Sequence, residues 1–307
     1  MSYRAKWQNF RERDWVEVRD SWLAHVPNFT AVGARPDPGL EHLPSLLAIT
    51  LPDAKGPAAR LPDVEGIRRN ALWEAVFLFH KCSHTNLAAQ RIGQQGMHSW
   101  CMFNAYHSAY LGARGMMALL GVALPKLRGE QVAFDLFPEP PKKKAIRVLG
   151  SPQFQEFIIF KLPQLDQRYL WEAFQRVLRM SRAPCIDEGL RNELLNLSYE
   201  EISPPRNHFL YKAHFWPLED LASDGEVTDL DTLVGTELHT EDSAFLLRLS
   251  FSVYHLFEQL MGDIGVYSGV IKNQFDGSRF FSASELPELG RYKIFLSQIS
   301  SQAGTPH

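Results

Sequence analysis

Between Ser99 and Gly121 the side chains Phe103, Tyr106, Tyr110, Ala113, Met117 and Leu120 recur every three or four positions. That period fits an α-helix and not a strand, whose faces alternate every two residues. Another side of the same helix carries Ala105, Ser108, Ala109, Gly112 and Gly115, small residues that let a second backbone come close. Ser99 reads as its N-cap, and Gly121 and Pro125 as its end. The apolar seam is expected to face a core. The small-residue stripe is expected to meet a second helix, of the same chain or of a second copy.

The helical period returns along the chain. Leu72, Val76, Phe79 and Leu87 mark a helix over about 66–91. Leu170, Phe174, Val177 and Leu178 mark another over 164–182, and Leu190, Leu194 and Leu195 a further one. A long helix follows from about Asp242 to Met261 through Phe245, Leu249, Val253, Leu256 and Leu260. Near the N-terminus, Trp7, Phe10, Trp15, Val18, Trp22 and Val26 predict an amphipathic helix over 6–26 that docks on the core. The period shortens over about 131–163. There Val132–Phe137, Ile146–Leu149 and Phe154–Phe160, with a turn at Pro138–Pro141, predict a small antiparallel insert. Prolines crowd the connection at 27–62, with a short strand expected at Leu46–Leu51. These elements give three parts: a helical arm and connection at 1–62, a helical bundle with its β insert at 63–261, and an extension at 262–307. The fold class is mainly α.

Hydrophobic residues make up 45% of the chain and aromatics 12%, so global disorder is excluded. A net charge of −3 argues against indiscriminate binding to nucleic acid and still allows a local basic stripe. The three cysteines, Cys82, Cys101 and Cys185, form no CxxC pair and are expected as free thiols in a reducing compartment. The charged start of the chain predicts no leader. The longest uncharged apolar stretch, near Gly115–Leu124, is about half of the ~20 residues a membrane span needs. A cytoplasmic protein with no membrane contact is expected.

Candidate chemistry is sparse. No Walker loop, GxGxxG or GxSxG motif occurs. His80 and His84 have the spacing of metal ligands on one helix face, with Cys82 and His98 nearby. No carboxylate joins them, and neither a metal nor a cofactor is expected. Arg176, Arg179 and Arg182 recur every three residues and form a basic stripe that either holds phosphates or is a solvated face. Asp224, Glu226, Asp229 and Asp231 lack the spacing of a calcium loop. Pro204-Pro205 predicts a helix start, which puts Arg206, Asn207 and His208 in a first turn, where free N–H groups favour an anion, with His214 two turns on.

The run Ser99-Trp100-Cys101-Met102-Phe103-Asn104-Ala105-Tyr106-His107-Ser108-Ala109-Tyr110-Leu111-Gly112 and on to Gly121 resembles the aromatic-and-alanine helix of HEPN-like helical bundles. That family occurs in prokaryotic toxin–antitoxin and antiphage systems. The resemblance implies an up-down bundle, a homodimer or a partner protein of the same system, and contact with RNA. In active members it implies a metal-independent ribonuclease. There an Arg and a His lie in a late helix with four to six residues between them, usually with a polar residue after the Arg. Carried onto this chain, the pattern points to Arg206 with His208 or His214, one too near and one too far, and to Arg248 with His255. The latter pair has the spacing, but Leu249 follows the Arg. Arg19 with His25, Arg35 with His42, and Arg91 with His98 also have the spacing, in earlier and less regular segments. A purely structural adaptor is the reading from another class.

Overall fold

In a computed structural model of the chain, the structure describes residues 12–26, 40, 43–53, 58–64, 66–94, 98–138, 156–162, 167–211 and 240–283. The described helices are α1 (Trp15–Leu23), α2 (Pro44–Leu47), α3 (Ile67–Gln94), α4 (His98–Leu119), α5 (Gln167–Met180), α6 (Glu188–Asn196), α7 (Tyr199–Tyr211), α8 (Thr240–Tyr267) and α9 (Gly269–Ala283). The described strands are β1 (Arg13–Asp14), β2 (Ala59–Pro62), β3 (Val122–Ala123), β4 (Lys126–Leu127), β5 (Glu130–Asp135), β6 (Glu156–Lys161) and β7 (Ser181–Arg182). The protein is mainly α with a small antiparallel sheet. It divides into two compact units.

One unit comprises Met1–Leu78, Ala113–Glu188 and Gln259–Asn273. Its sheet has the order β2-β6-β5-β3, with β4 also paired to β5. Phe134 of β5 lies opposite Ile159 of β6, and its ring meets Phe157 edge-on at 5.5 Å. Val132, Ala133, Phe134 and Asp135 are all buried, so β5 is covered on both faces and does not alternate. Of the expected runs, the third supplies β6, one of the strands paired to β5. Ile146–Leu149 and the lysines before it lie outside the described residues. The strand expected at Leu46–Leu51 is instead the short helix α2, with Pro44 in its first turn, where a missing N–H costs nothing. The strand of this connection is β2, whose Pro62 sits at the end of an edge strand.

The N-terminal helix begins later than its hydrophobic period suggests. Asp14 caps α1 by accepting from the Val16 N–H, and Arg13–Asp14 before it pair in parallel with β7. Trp7 and Phe10 lie outside the described residues. Trp15, Val18, Trp22 and Val26 are buried, as their spacing predicts. Trp22 Nε1 donates to the Leu119 carbonyl at 2.7 Å, and its ring meets Phe137 edge-on at 4.8 Å. Gly121 ends α4 with φ +89°, and a Cβ there would lie 2.5 Å from Phe137 Cδ2. Arg13 spans this turn, with one guanidinium nitrogen 2.8 Å from buried Asp135 and another 3.3 Å from the Leu120 carbonyl. Gly262 and Gly265 do not break α8. A Cβ on Gly265 would lie 3.4 Å from Lys272 Cα, an ordinary contact, where α9 returns beside α8.

The other unit comprises Phe79–Gly112, Gly189–Glu258 and Gln274–His307. Phe79 of α3 centres its core, stacked on Tyr254 and Phe275 and edge-on to Phe257 at 5.0 Å. Cys82 donates to the Ser108 carbonyl at 3.3 Å, and Ser108 Oγ donates back to the Cys82 carbonyl at 3.0 Å. A Cβ added at Gly112 would lie 2.7 Å from Val253 Cγ1 and 3.0 Å from Cys82 Sγ. The small-residue stripe of α4 is buried within the chain and is met at Ser108 and Gly112 by α3 and α8. Ser99 is not the cap of α4: the helix begins at His98, and Ser99 is buried inside its first turn. Among the described residues no helix is long and apolar enough to cross a membrane.

Candidate functional site

Arg248 and His255 both lie on α8, seven residues apart, so nearly two full turns place them on one face about 10 Å from each other along the axis. Phe251 falls between them, and its ring is parallel to that of His255 with 5.6 Å between centroids. Each polar group meets a carboxylate. Arg248 Nε pairs with Glu193 of α6, and Glu258 Oε2 lies 3.5 Å from His255 Nδ1. The Arg248 side chain is 40% exposed and that of His255 28%, so both reach the surface of the described residues. An arginine can neutralise a phosphate here, a phenylalanine ring can support a base, and an imidazole can accept a proton. Phe251, Glu193 and Glu258 were not singled out in the sequence. Phe251 and Glu258 follow from helical spacing once His255 is chosen, whereas Glu193 reaches the ledge only through the packing of α6.

The Arg206 region is built differently from expectation. Pro204 and Pro205 lie inside α7 and do not start it. The start is fixed by a capping box in the sequence Ser198-Tyr199-Glu200-Glu201. Glu201 Oε2 accepts from the Ser198 N–H at 2.6 Å, and the Glu201 N–H donates to Ser198 Oγ at 3.2 Å. Hydrogen bonds from the Ser198 backbone and hydroxyl hold the Glu201 carboxyl below its ordinary value. Arg206 and Asn207 are thus two turns into the helix, away from the free N–H groups of its first turn. The Arg206 guanidinium donates twice to Asn207 Oδ1, at 3.1 and 2.7 Å, and to the Tyr199 hydroxyl at 3.2 Å. It also lies 5.9 Å from the Tyr106 ring. The His208 side chain and His214 lie outside the described residues.

The basic stripe is shorter than its spacing suggests. Arg176 and Arg179 lie on α5, but that helix ends at Met180 and Arg182 belongs to β7. Arg182 Nη2 pairs with Glu12 at 2.9 Å, and Arg168 Nε, in the first turn of α5, pairs with Glu172 at 3.1 Å. Carboxylates are interleaved with the arginines, as on a solvated face.

The earlier Arg/His spacing at Arg19 and His25 is structural. Arg19 is buried, bonded to Asp263 at 3.2 Å and set over the Tyr267 ring at 3.9 Å. His25 has its pKa lowered by burial and by the Arg68 charge. His80 of the potential metal pair is engaged at both ring nitrogens: Nε2 lies 3.3 Å from Gln274 Oε1, and Nδ1 pairs with Ser278 Oγ. Burial lowers its pKa, with the His84 charge acting in the same direction and the Gln274 bond opposing. Cys82 and Cys101 are buried free thiols pushed by burial up to about 12. Among the described residues, no three His, Cys, Asp or Glu side chains gather as a metal site.

The seam assigned to α4 is also redistributed. Tyr106, Ala113, Met117 and Leu120 are buried, but Phe103 and Tyr110 are partly exposed. In comparisons with protein families, curated proteins and solved structures, nothing matches this chain.

Proposed function

We propose that this chain is a HEPN-like component of a prokaryotic defence or toxin–antitoxin system, cytoplasmic, that acts on RNA through the α8 ledge. The observation that supports this reading is the placement of Arg248 and His255, with six residues between them, on one part-exposed face of a late helix. In the catalytic form of the reading, His255 Nε2 accepts the ribose 2′-hydroxyl proton while Glu258 holds Nδ1. The 2′-oxygen then bonds to phosphorus and the P–O5′ bond breaks, giving a cyclic phosphate and a 5′-hydroxyl whose proton comes from water. Arg248 carries the charge that develops on the phosphate oxygens. The reading is tested by incubating the purified protein with single-stranded RNA in the presence of a chelator. Cleavage lost in both Arg248→Ala and His255→Ala, with unchanged melting temperatures, supports it. Cleavage that survives either change sinks the catalytic form.

One observation favours a second reading. Glu193 closes on Arg248 and neutralises the cation that RNA would need. In that case the ledge is an ion-paired surface and the chain is an adaptor that recruits a partner protein of the same system. No cleavage by the wild type, together with a partner lost on changing Glu193 and Arg248, favours the adaptor.

A further inference from the structure

Helix α4 turns aromatic rings toward solvent. Trp100 is 45% exposed, and Phe103, His107 and Tyr110 are partly exposed. Their spacing puts all four on one face, about 15 Å long. The rings are ordered: Trp100 meets Phe103 edge-on at 5.5 Å, and Phe103 and His107 stack at 4.3 Å with 29° between their planes. The outward side of an amphipathic helix is ordinarily polar, and among the described residues this one stays partly exposed.

Charge indicates what covers it. No Asp or Glu occurs between Glu74 and Glu130, although the chain has 35 of them, whereas Lys81 and Arg91 lie in that interval. In the same unit as the rings, α3 packs on α4 through Cys82 and Ser108 and presents exposed Lys81, His84 and Arg91 on its outer face. Flat rings on a segment free of acids and carrying cations match a polyanion that offers flat faces. We infer that the α4 face stacks the bases of single-stranded RNA. A duplex hides its base faces and does not fit. The choice of RNA rests on the reading of α8 above; the stacking rests on α4 alone.

The test is fluorescence anisotropy of a labelled single-stranded RNA 20-mer, and of the same sequence as a duplex, across a salt series with a chelator present. The single strand should bind more tightly. The double variant Trp100→Ala, Phe103→Ala should weaken it by about ten-fold or more and leave the salt slope unchanged. Lys81→Ala with Arg91→Ala should instead reduce that slope. Trp100→Glu alone, at the exposed ring, should also weaken binding and serves if the double variant fails to fold. Loss of cleavage in Arg248→Ala or His255→Ala tests the α8 reading, whereas the preference for single strand over duplex and its loss in the Trp100 variants test this one, so the two can fail separately. Equal affinity for strand and duplex overturns the inference, as does undiminished binding by folded Trp100 variants. A wild-type dimer that Trp100→Glu dissociates, with no RNA bound, assigns the face to a second copy and overturns it too.

Discussion

Trp15 Nε1 donates a 2.8 Å hydrogen bond to Asp263 Oδ2, joining residues 248 positions apart. The same carboxylate oxygen accepts from Arg19 Nη1 at 3.2 Å, so one acid on α8 secures two side chains of α1. The arrangement explains how a nine-residue helix is held firmly.

Removing that acid should therefore destabilise the whole attachment. Asp263→Ala leaves the Trp15 indole N–H and the buried Arg19 guanidinium without this acceptor, at a cost of about 2–3 kcal/mol. Asp263→Asn keeps an acceptor and should cost less. Thermal unfolding of the two variants beside the wild type checks the order. Equal melting temperatures for all three would show that α1 is held by apolar contacts alone.

Gly112 should tolerate no side chain. Gly112→Ala places a methyl group 2.7 Å from Val253 Cγ1, where β-branching leaves little freedom to move. The expected loss is about 1–3 kcal/mol. Adding Val253→Ala should return part of it, and a double-mutant cycle measures the coupling. Losses that simply add would place the strain elsewhere.

Arg206→Ala should behave as a structural change. Its guanidinium ties Asn207 and Tyr199 of α7 and sits beside Tyr106 of α4. The expected outcome is a melting temperature several degrees lower, for a loss of about 1–2 kcal/mol, with RNA binding retained. An equally stable variant that no longer binds RNA would move the site from α8 to α7.

His80 should make stability depend on pH. Its folded pKa lies below the ordinary histidine value because burial disfavours the charged form. The unfolded chain then binds more protons between the two values, so stability rises with pH through that interval. The contribution is complete above the unfolded pKa of about 6.5 and is lost as pH falls toward the lower folded value. Denaturant unfolding at pH 7.5 and 5.5 should show a smaller pH effect for His80→Gln than for the wild type. Identical pH effects would exclude His80 as the source.

Glu193→Gln should strengthen RNA binding if the α8 ledge contacts phosphate. It removes the carboxylate that faces Arg248 and leaves the side-chain volume unchanged. Anisotropy titrations at fixed salt measure the gain. Weaker binding would indicate that Glu193 positions Arg248 for its ligand.

Much of the architecture is legible in local sequence. The helical periods at Leu72–Leu87, Leu170–Leu178 and Phe245–Leu260 correspond to α3, α5 and α8, because a run of apolar side chains every three or four residues can be buried only on a helix. Trp15, Val18 and Trp22 announce a docked face for the same reason. Local signals also set helix ends that prolines and hydrophobic period misplace: Ser198 and Glu201 make a capping box that outweighs Pro204-Pro205 as the start of α7, and Asp14 caps α1.

What sequence alone determined was that the segments of α3, α4, α5 and α8 become helices and that α4 has two sides of different size. Which side goes inward was decided by tertiary packing. Gly112 and Ser108 let α8 and α3 approach closely, and the contact area gained there outweighs the burial of Phe103 and Tyr110, which remain partly exposed. The candidate site divides in the same way. Arg248 and His255 share a face by helical arithmetic. Glu193, which faces Arg248, comes from another helix, and only the fold could bring that carboxylate to the guanidinium.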